Sequence, residues 1–596
     1  MEFQKKKFLF FTPYSGVWVH SFPEALLASS LKESGHDVSY IHCGRLYKED
    51  CIVKKIAGVK FDATPEAKEK ICKTCEKTEN ILKHRFNWES STIRERVTEE
   101  DISEANSLVE HGLNFTDLYK TMVDGIPVGV LTAFEFFTSK KLLDPEKVTG
   151  QDLEQYRNNL KDAILTLRGA EKILDEQQPD CVVVYNAEYS VNGIWGKLCE
   201  KKNTMFYSEN SGVNFSNRLE RFQVNIGSYF YGNQTLLRNW PVYKKFHVSK
   251  NEAEEITNHF LALFEGKSLY TYSTPKARAV FSPRAYFGLK PEQKLFVATL
   301  SSKDELFAAE LIGQINPVDS EENPFFSQEH WTQALIEHFK SRPDYFLVIR
   351  IHPREYPNKR DKIKSQNYEK LQASLVNLPP NVKVNWPTDG LSIYDLMEET
   401  DVFLNGWSTA GKEMSFFGLP VVTYCGAIVA YPLDLVYSAK TRKEFFEMMD
   451  EALKTPFDPE RIRLNFRWLA WEFIRSNFLI DDAFTFPERE KRSLPYRVAN
   501  KLTGGQFRYV ENWWRVRHFP NKLAATGDIL KYFDKKVQTP AELWEPLPEN
   551  LIEPEVEERI IKKEMKRIYG LLYKDQKLWQ DAPSYTLRYK LGRWLS

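Results

Sequence analysis

The hydrophobic residues of this chain fall into short unbroken runs that are separated by polar stretches of helical length. In the first half these runs lie at residues 8–11, 38–42, 181–185 and 204–208. Unbroken apolar runs of this length are typical of strands buried on both faces of a parallel sheet. Gly35 follows the first helix-length stretch at the position where a helix ends in a left-handed backbone. The pattern predicts a doubly wound α/β domain.

A second series of apolar runs follows at residues 295–299, 345–351, 382–385, 402–405 and 421–424. Loops or helix-length stretches separate these runs, which repeats the organisation of the first half. We therefore expect two Rossmann-like domains facing a cleft, the first at 1–285 and the second at 286–455. A polar, charge-rich insertion at about 76–147 is expected to be helical and solvated.

The region 456–596 is predicted to be helical and is dense in aromatic and basic residues, notably at 466–471, 507–509 and 513–519. The favoured interpretation is a set of helices that wraps back over the first domain. The second interpretation is peripheral contact with the inner face of a membrane, because interleaved aromatic and basic side chains suit a lipid headgroup boundary.

Composition narrows the classes of partner. The 596 residues contain 82 Lys and Arg against 82 Asp and Glu, so no general attraction to nucleic acid is expected. Hydrophobic residues make up 42% and charged residues 28%, as in an ordinary globular protein. The N-terminus is a poor signal peptide, and no apolar stretch has the length of a membrane-spanning helix, so we expect a cytoplasmic protein.

Four of the seven cysteines cluster near the N-terminus, at Cys43, Cys51, Cys72 and Cys75. The last two have the C-x-x-C spacing, which lets two thiolates bind one ion, and the first two could complete a tetrahedral set. The sequence thus raises a structural zinc site, with four reduced thiols as the alternative.

Three basic side chains alternate at the end of the run 345–351: Arg350, His352 and Arg354. Alternation places them on one face for as long as the strand continues, at the edge where open α/β sheets bind ligands. Three donors at that edge could hold a phosphate, although a lone histidine is often a satisfied core residue.

A second candidate anion site begins after the run 402–405, where Ser408 and Thr409 precede a helix-length stretch. Free amides and hydroxyls at a helix start suit an anion, although Ser408 could be only an N-cap. Glu413, further along that helix, is placed to reach a ribose or sugar hydroxyl.

These two elements, R-x-H-P at 350–353 and S-T-x-x-x-E at 408–413 with G-x-P at 418–420, resemble those of GT-B glycosyltransferases of bacterial capsule and surface-polysaccharide synthesis. Similar patterns occur in capsule Kdo transferases, polysialyltransferases and CDP-glycerol glycerophosphotransferases. The resemblance covers roughly 290–430. It implies donor-nucleotide contacts from His352, Pro353, Ser408 and Thr409.

The resemblance also implies that the loop after the run 295–299 contacts the donor phosphate, through Ser301 and Lys303. A solvated loop is the alternative, since lysine is common on surfaces. No D-x-D element stands at a convincing strand end, so we expect a metal-independent reaction without a catalytic cofactor.

Glycosyl transfer needs a base for the incoming hydroxyl. Glu188 and Glu209 each follow an apolar run of the first half and are the candidate catalytic carboxylates. Glu209 precedes a glycine turn that resembles the acidic-x-Gly turn of related sialyl- and Kdo-transferases, with Asn210 where a second acid is expected. The candidate acceptor contacts are His20, Glu24, Asn186 and Asn210.

The sequence thus predicts a glycosyltransferase that moves a sugar from a nucleotide donor to a bacterial surface glycan or glycolipid. The same donor pattern also suits a glycerophosphotransferase, and a sugar-nucleotide-binding protein without activity is a third reading.

Overall fold

The computed structural model describes residues 4–266, 281–317, 319–358, 362–481, 494–503, 522–574 and 579–596. The strands of these residues are β1 Lys7–Phe11, β2 Asp37–His42, β3 Glu89–Thr92, β4 Cys181–Tyr185, β5 Met205–Ser211, β6 Arg221–Ile226, β7 Lys294–Thr299, β8 Tyr345–Arg350, β9 Val382–Asn385, β10 Val402–Asn405, β11 Val421–Thr423, β12 Tyr437–Ser438 and β13 Phe478–Leu479.

The helices of the first half are α1 Trp18–Glu33, α2 Ile52–Ile56, α3 Pro65–Phe86, α4 Glu99–Glu110, α5 Phe115–Tyr119, α6 Val128–Leu131, α7 Ala133–Lys140, α8 Gly150–Gln177, α9 Ser190–Lys202, α10 Tyr229–Tyr243 and α11 Lys250–Phe264. Those that follow are α12 Pro283–Phe287, α13 Lys303–Leu311, α14 Gln328–Lys340, α15 Gln366–Ser374, α16 Ile393–Leu396, α17 Ala410–Phe416, α18 Arg442–Lys454, α19 Pro459–Ala470, α20 Leu494–Leu502, α21 Thr526–Lys535, α22 Pro554–Tyr573 and α23 Leu587–Leu595.

The first sheet has the strand order β13-β6-β5-β4-β1-β2-β3. Strands β1 to β5 pair in parallel, β6 runs antiparallel to β5, and β13 runs antiparallel to β6. One face packs on α1 and α21, and the other packs on α8 and α9, because alternate residues of the apolar strands point to opposite sides. The chain order reverses between β1 and β4, which makes their carboxyl ends a topological switch point.

The second sheet is parallel throughout, with the order β12-β11-β10-β7-β8-β9. Its switch point lies between β7 and β10. The two sheets confirm the expected fold class, two Rossmann-like α/β halves of the GT-B type. Each sheet thus offers one crevice at its carboxyl edge where a ligand can bind.

Part of the described C-terminal region packs on the first half, and the rest packs into the core of the second sheet. Strand β13 adds to the first sheet, and the Leu523 amide before α21 donates to Ser30 Oγ on α1 at 3.0 Å. Helix α22 packs on α11 and on α19. Its buried Glu557 accepts from Arg467 on α19 at 2.9 and 2.6 Å. The aromatic and basic runs at 507–509 and 513–519 lie outside the described residues.

The insertion differs from a solvated helical surface. Besides helices α4 to α7, the insertion contains strand β3, which pairs with β2 and so extends the first sheet. Phe137 on α7 is fully buried and meets Phe307 on α13 edge to face, with ring centroids 5.6 Å apart. The sequence missed this contact because charged residues surround the few apolar positions that form it.

Candidate functional site

The carboxyl end of β4 forms a tight polar turn at the switch point of the first sheet. Asn186 has a left-handed backbone, with φ of 57°, and its Oδ1 accepts from the Glu188 amide at 3.0 Å. The Asn186 amide donates to the carbonyl of Glu209 at 2.9 Å, which joins the ends of β4 and β5. The turn holds Glu188 in a buried position, where Oε1 has no hydrogen-bond partner among the described residues.

Glu209 lies inside strand β5, opposite Tyr185 in the register, and is 1% exposed. The expectation that it follows the strand was wrong, because β5 continues to Ser211 to pair with β6. Its Oε2 has no partner in the described part of the chain, and burial raises its pKa to about 8. The resting side chain is therefore mostly protonated at neutral pH.

Glu24 on α1 packs on the same face of the first sheet and is 2% exposed. Burial raises its pKa well above the usual range, and the charge of Glu209 raises it further. Its Oε1 also lacks a partner within the described residues. Two buried carboxyls that repel each other's charge favour states in which at least one carries a proton.

His20 on α1 stacks on Tyr185 at the end of β4, with ring centroids 3.9 Å apart. Burial lowers the pKa of His20 to about 3, and the Arg218 guanidinium lowers it further, so the imidazole is neutral at physiological pH. Arg218 Nε donates to Ser211 Oγ at 3.3 Å. The cluster at this switch point therefore combines two protonatable carboxyls, a neutral imidazole and a cation.

The loop that carries Arg218 connects β5 to β6 and is anchored on α11. Arg221 pairs with both carboxylate oxygens of Glu255 at 2.7 Å. The Phe215 amide donates to His259 Nδ1 at 3.0 Å. Helix α11 in turn packs on α22 and α19. The loop that carries Arg218 is therefore held by helices that follow the second sheet in the chain.

Asn210 is the residue next to Glu209 on β5 and therefore points to the opposite face of the sheet. Its Nδ2 is buried and has no partner among the residues described. The structure thus groups His20, Glu24 and Glu209 on one face and separates Asn210 from them.

In the second half, the carboxyl ends of β7 and β10 meet as their pairing requires. The Trp407 amide donates to Ser301 Oγ at 3.4 Å, and Gln328 bonds both the amide and the carbonyl of Ser301. Ser408 Oγ accepts from the Ala410 amide at 3.3 Å, although the N-cap position of α17 is Thr409 and not Ser408. Thr409 is exposed and has no capping bond.

The helix that follows, α17, begins close to Tyr431. A Cβ at Gly411 would lie 2.1 Å from the Tyr431 hydroxyl, so only glycine fits there. Glu413 accepts from Tyr394 Oη at 2.8 Å, and burial raises the pKa of its carboxyl. The Glu413 carboxyl is therefore hydrogen-bonded to α16.

Lys412 on α17 pairs with Glu472 at 2.6 and 2.7 Å. Glu472 lies in a π-helical turn, Trp471–Arg475, that follows α19, and such turns are frequent at functional sites. Burial raises the pKa of Tyr229 on α10 above its usual range, and the charges of Glu472 and Glu188 raise it further. The phenol of Tyr229 is therefore within electrostatic reach of both carboxylates.

The cations predicted to hold the donor phosphate are each engaged within the protein. Strand β8 ends at Arg350, so the alternation with His352 and Arg354 stops there. Arg350 Nη1 donates to Asn385 Oδ1 and, at 3.0 Å, to the Leu391 carbonyl. Burial lowers its pKa to about 10.

Arg354 pairs with both oxygens of Asp304 at 2.6–3.0 Å, at a site where both residues are buried. Lys303 binds Asp319 at 3.0 Å and Glu329 at 2.9 Å. Neither cation is directed at a ligand in this conformation.

His352 and Pro353 form the turn that follows β8. His352 Nδ1 accepts from the Arg354 amide at 3.2 Å, and burial, followed by the Arg354 charge, lowers the pKa of the ring to about 4. Pro353 starts a short 3-10 turn. A neutral histidine with a backbone-bonded Nδ1 can present Nε2 to a ligand as a donor. Donor binding by these residues stays a prediction.

The four clustered cysteines line one cavity of about 100 Å³ beside β2. Lys54 Nζ lies 3.6 Å from Cys51 Sγ and 3.7 Å from Cys72 Sγ. Among the described residues, no group of three or more His, Cys, Asp or Glu has a geometry that could hold a metal ion. The zinc site stays a prediction, which elemental analysis of protein purified without chelator tests.

Sequence reasoning missed Arg218, Tyr185, Lys412 and Glu472. Lys412 lies within the S-T-x-x-x-E element, and Arg218 lies in the β5–β6 loop, after the glycine turn that follows Glu209. The sequence therefore pointed to both segments but not to these two residues. No local signal marks Glu472, because its partner Lys412 is 60 residues away in the chain.

No helix of the described ranges is both long and apolar enough to cross a membrane. Neither a protein-family model nor a curated protein matches this chain. Solved structures do match in part. The KpsC β-Kdo 2,4 transferase of Thermosulfurimonas dismutans is 14% identical, with 49% of this chain and 79% of that chain covered and a TM-score of 0.30.

The UDP-GlcNAc 2-epimerase of Neisseria meningitidis, solved with UDP-GlcNAc, is 11% identical over 78% of this chain and 94% of its own, with a TM-score of 0.27. The calicheamicin glycosyltransferase CalG4 is 13% identical over 85% and 99%, with a TM-score of 0.25. At these values the likeness carries no functional argument, and the fold is judged from the strand order itself.

Proposed function

We propose that this protein is a glycosyltransferase that moves a sugar from a nucleotide donor to a hydroxyl of a bacterial surface glycan or glycolipid. The observation that carries the proposal is the pair of buried carboxyls, Glu24 and Glu209, at the switch point of the first sheet. Each has a buried oxygen without a partner in the described residues, and both carry raised pKa values. The class of donor and acceptor is inferred from the motif resemblance.

In this proposal Glu209 is the general base. A carboxyl whose pKa is about 8 is a stronger base, once deprotonated, than an ordinary glutamate. Glu24 lies close enough to influence its charge and can keep the second proton of the pair. His20, neutral and stacked on Tyr185, is placed to orient the acceptor hydroxyl rather than to remove its proton.

The second half would hold the nucleotide. The hydroxyls of Ser301, Ser408 and Thr409 and the ring of His352 stand at the carboxyl ends of β7, β10 and β8, where a phosphate binds without a metal ion. Arg218 provides a cation from the first half that can offset charge on the departing phosphate.

The test is turnover of a panel of nucleotide sugars with and without acceptor glycans. Glu209→Gln keeps the shape of the side chain and removes its basicity, so it should bind nucleotide and lose about 10²–10⁴-fold in turnover. A protein that turns over no nucleotide sugar but transfers glycerol phosphate from CDP-glycerol would be a phosphotransferase. Binding without turnover of either donor class would make it a binding protein.

Glu188→Gln is the matched control, because Glu188 is a buried carboxyl at the same switch point whose pKa burial raises to about 7. If Glu209→Gln is as active as the parent while Glu188→Gln is inert, the base is Glu188. If both stay active, neither carboxylate is the base.

A further inference from the structure

The helical insertion contacts the loop that follows β8. Lys141, just after α7, is 1% exposed, and its Nζ donates to the carbonyls of Arg354 at 2.6 Å and Ile363 at 2.9 Å. Its own carbonyl accepts from the Gln366 amide at 3.2 Å. A single side chain of the first half is thus buried within the loop that carries His352.

Lys141 is the residue at which α7 ends. Its φ of 53° and ψ of 39° are the left-handed conformation in which helices commonly end. This helix end brings both the side chain and the carbonyl of Lys141 against the second half.

Neighbouring contacts fix the same junction from both sides. Arg354 Nη2 donates to the Thr138 carbonyl at 3.1 Å, while Nε of the same side chain donates to Asp304 at the start of α13. The Leu143 amide donates to Gln366 Oε1 at 2.7 Å. Tyr119 Oη donates to the Leu311 carbonyl at the end of α13 at 2.5 Å.

We propose that the insertion is an interdomain clamp in which Lys141 is a positioning residue that holds the 352–356 loop ready for the donor nucleotide. The clamp consists of contacts within the protein itself, so the donor should bind without a large movement of one half against the other. The role assigned to Lys141 rests on the proposed donor site, whereas the clamp itself does not.

The clamp should hold the loop in place because breaking it costs free energy. Loop 352–356 and α13 would have to leave a buried ammonium and a buried guanidinium without their partners. Removing Lys141 should release the loop and impose on donor binding the ordering that the clamp now provides in advance.

The direct test is amide hydrogen exchange of residues 353–358 and 362–368 in the nucleotide-free protein. Lys141→Met keeps the aliphatic stem and removes the ammonium, and it should raise exchange in these two segments about 10-fold, the scale of one hydrogen bond to a charged group. Exchange in β1 and β4 should not change. Lys141→Arg should restore most of the protection.

Lys140→Met is the matched control, because Lys140 precedes it on α7 but pairs with Asp152 of the first half at 2.8 Å. If Lys141→Met does not fold, Gln366→Ala cuts the Leu143 contact from the other side and should loosen the same segments. Unchanged exchange in a folded variant, or an equal effect of Lys140→Met, would overturn the clamp.

Donor binding provides the second readout. Lys141→Met should raise the dissociation constant for the nucleotide about 10-fold, and adding His352→Ala should cost less than the separate effects together, because both act through one loop. Fully additive effects would remove the positioning role. A parent protein that binds no nucleotide would defeat the proposed function, and the exchange experiment would still decide on the clamp.

Discussion

The charged residues that the sequence singled out as candidate site residues differ between the two halves in whether they have partners. In the first half, Glu24, Glu188 and Glu209 each keep a buried carboxyl oxygen with no partner in the described residues. In the second half, Arg350 and Arg354 are buried and hydrogen-bonded to amide, carbonyl or carboxylate oxygens. A buried group without a partner lowers the stability of the folded state, whereas a paired group lowers it only when its partner is removed.

This difference assigns different tasks to residues that look alike in the sequence. Native proteins pair nearly all buried polar groups, and the proposed function explains the unpaired carboxyls at the switch point by a ligand that supplies the missing partner. Paired arginines, by contrast, carry structure. In the proposed site, His352 of the R-x-H-P element binds the donor, while the arginines of the element hold the framework around it.

The largest stability effect should follow from breaking the paired cation. Arg354→Met leaves the buried Asp304 carboxylate without its main partner, so the free energy of unfolding should fall by about 3–5 kcal/mol. Urea denaturation measures the change. The double variant with Asp304→Asn should recover part of it, and an equal loss in the double variant would show that the pair is not the cause.

Replacement of the unpaired carboxyl Glu209 should raise the stability of the protein at high pH. Because the folded pKa of Glu209, about 8, lies above its ordinary 4.5, the proton it keeps stabilises the fold fully below pH 4.5, and that contribution is lost as pH rises through 8. Glu209→Gln removes this loss, on the order of a few kcal/mol. Thermal melts should show the variant equal to the parent at pH 5 and more stable at pH 8.5, whereas parallel melting curves would contradict the assigned pKa.

A smaller effect is expected for the histidine between the two arginines. His352→Ala should weaken nucleotide binding by about 1–3 kcal/mol, the scale of a hydrogen bond to a charged group, and leave stability nearly unchanged. Calorimetric titration measures the affinity. An unchanged affinity in the folded variant would remove the R-x-H-P element from the site.

The smallest effect concerns Lys303. Its ammonium is paired with Asp319 and Glu329, whose side chains are 39% and 41% exposed, so solvent screens both interactions. Lys303→Met should change stability by less than about 1 kcal/mol and leave nucleotide affinity as it was. A loss of affinity greater than 10-fold would return Lys303 to the phosphate site.

The sequence predicted most of the strands that form the two sheets, because their apolar runs are unbroken and the intervening segments have helical length. It did not predict β3, β6, β12 or β13. Strands β3, β12 and β13 are short edge strands with little hydrophobic signal, and β6 alternates polar with apolar residues instead of forming an unbroken run. The placement of Glu209 inside β5 was also out of reach, because β6 pairs antiparallel with β5 and lengthens it past its apolar run.

The candidate site shows the same limit. Glu209, Glu24 and His20 were selected because each follows or precedes an apolar run at a carboxyl edge, and the structure brings these three together. The partners of Arg350, Arg354 and Lys303 come from distant segments, so no local pattern could reveal that these cations are engaged. The docking of Lys141 on the second half was hidden for the same reason.

The measurement that tests the central claim most directly is the pH dependence of kcat/KM for the acceptor, in the parent protein and in Glu209→Gln. If Glu209 is the base, activity of the parent should rise with pH and level off above about 8, which is the pKa of the buried Glu209 carboxyl in the protein without substrate. The variant should lack this rise and stay at its low rate throughout. A parent profile that is flat or falls between pH 6 and 9, or a variant that keeps the full rise, would contradict the assignment of the unpaired carboxyl as the catalytic group.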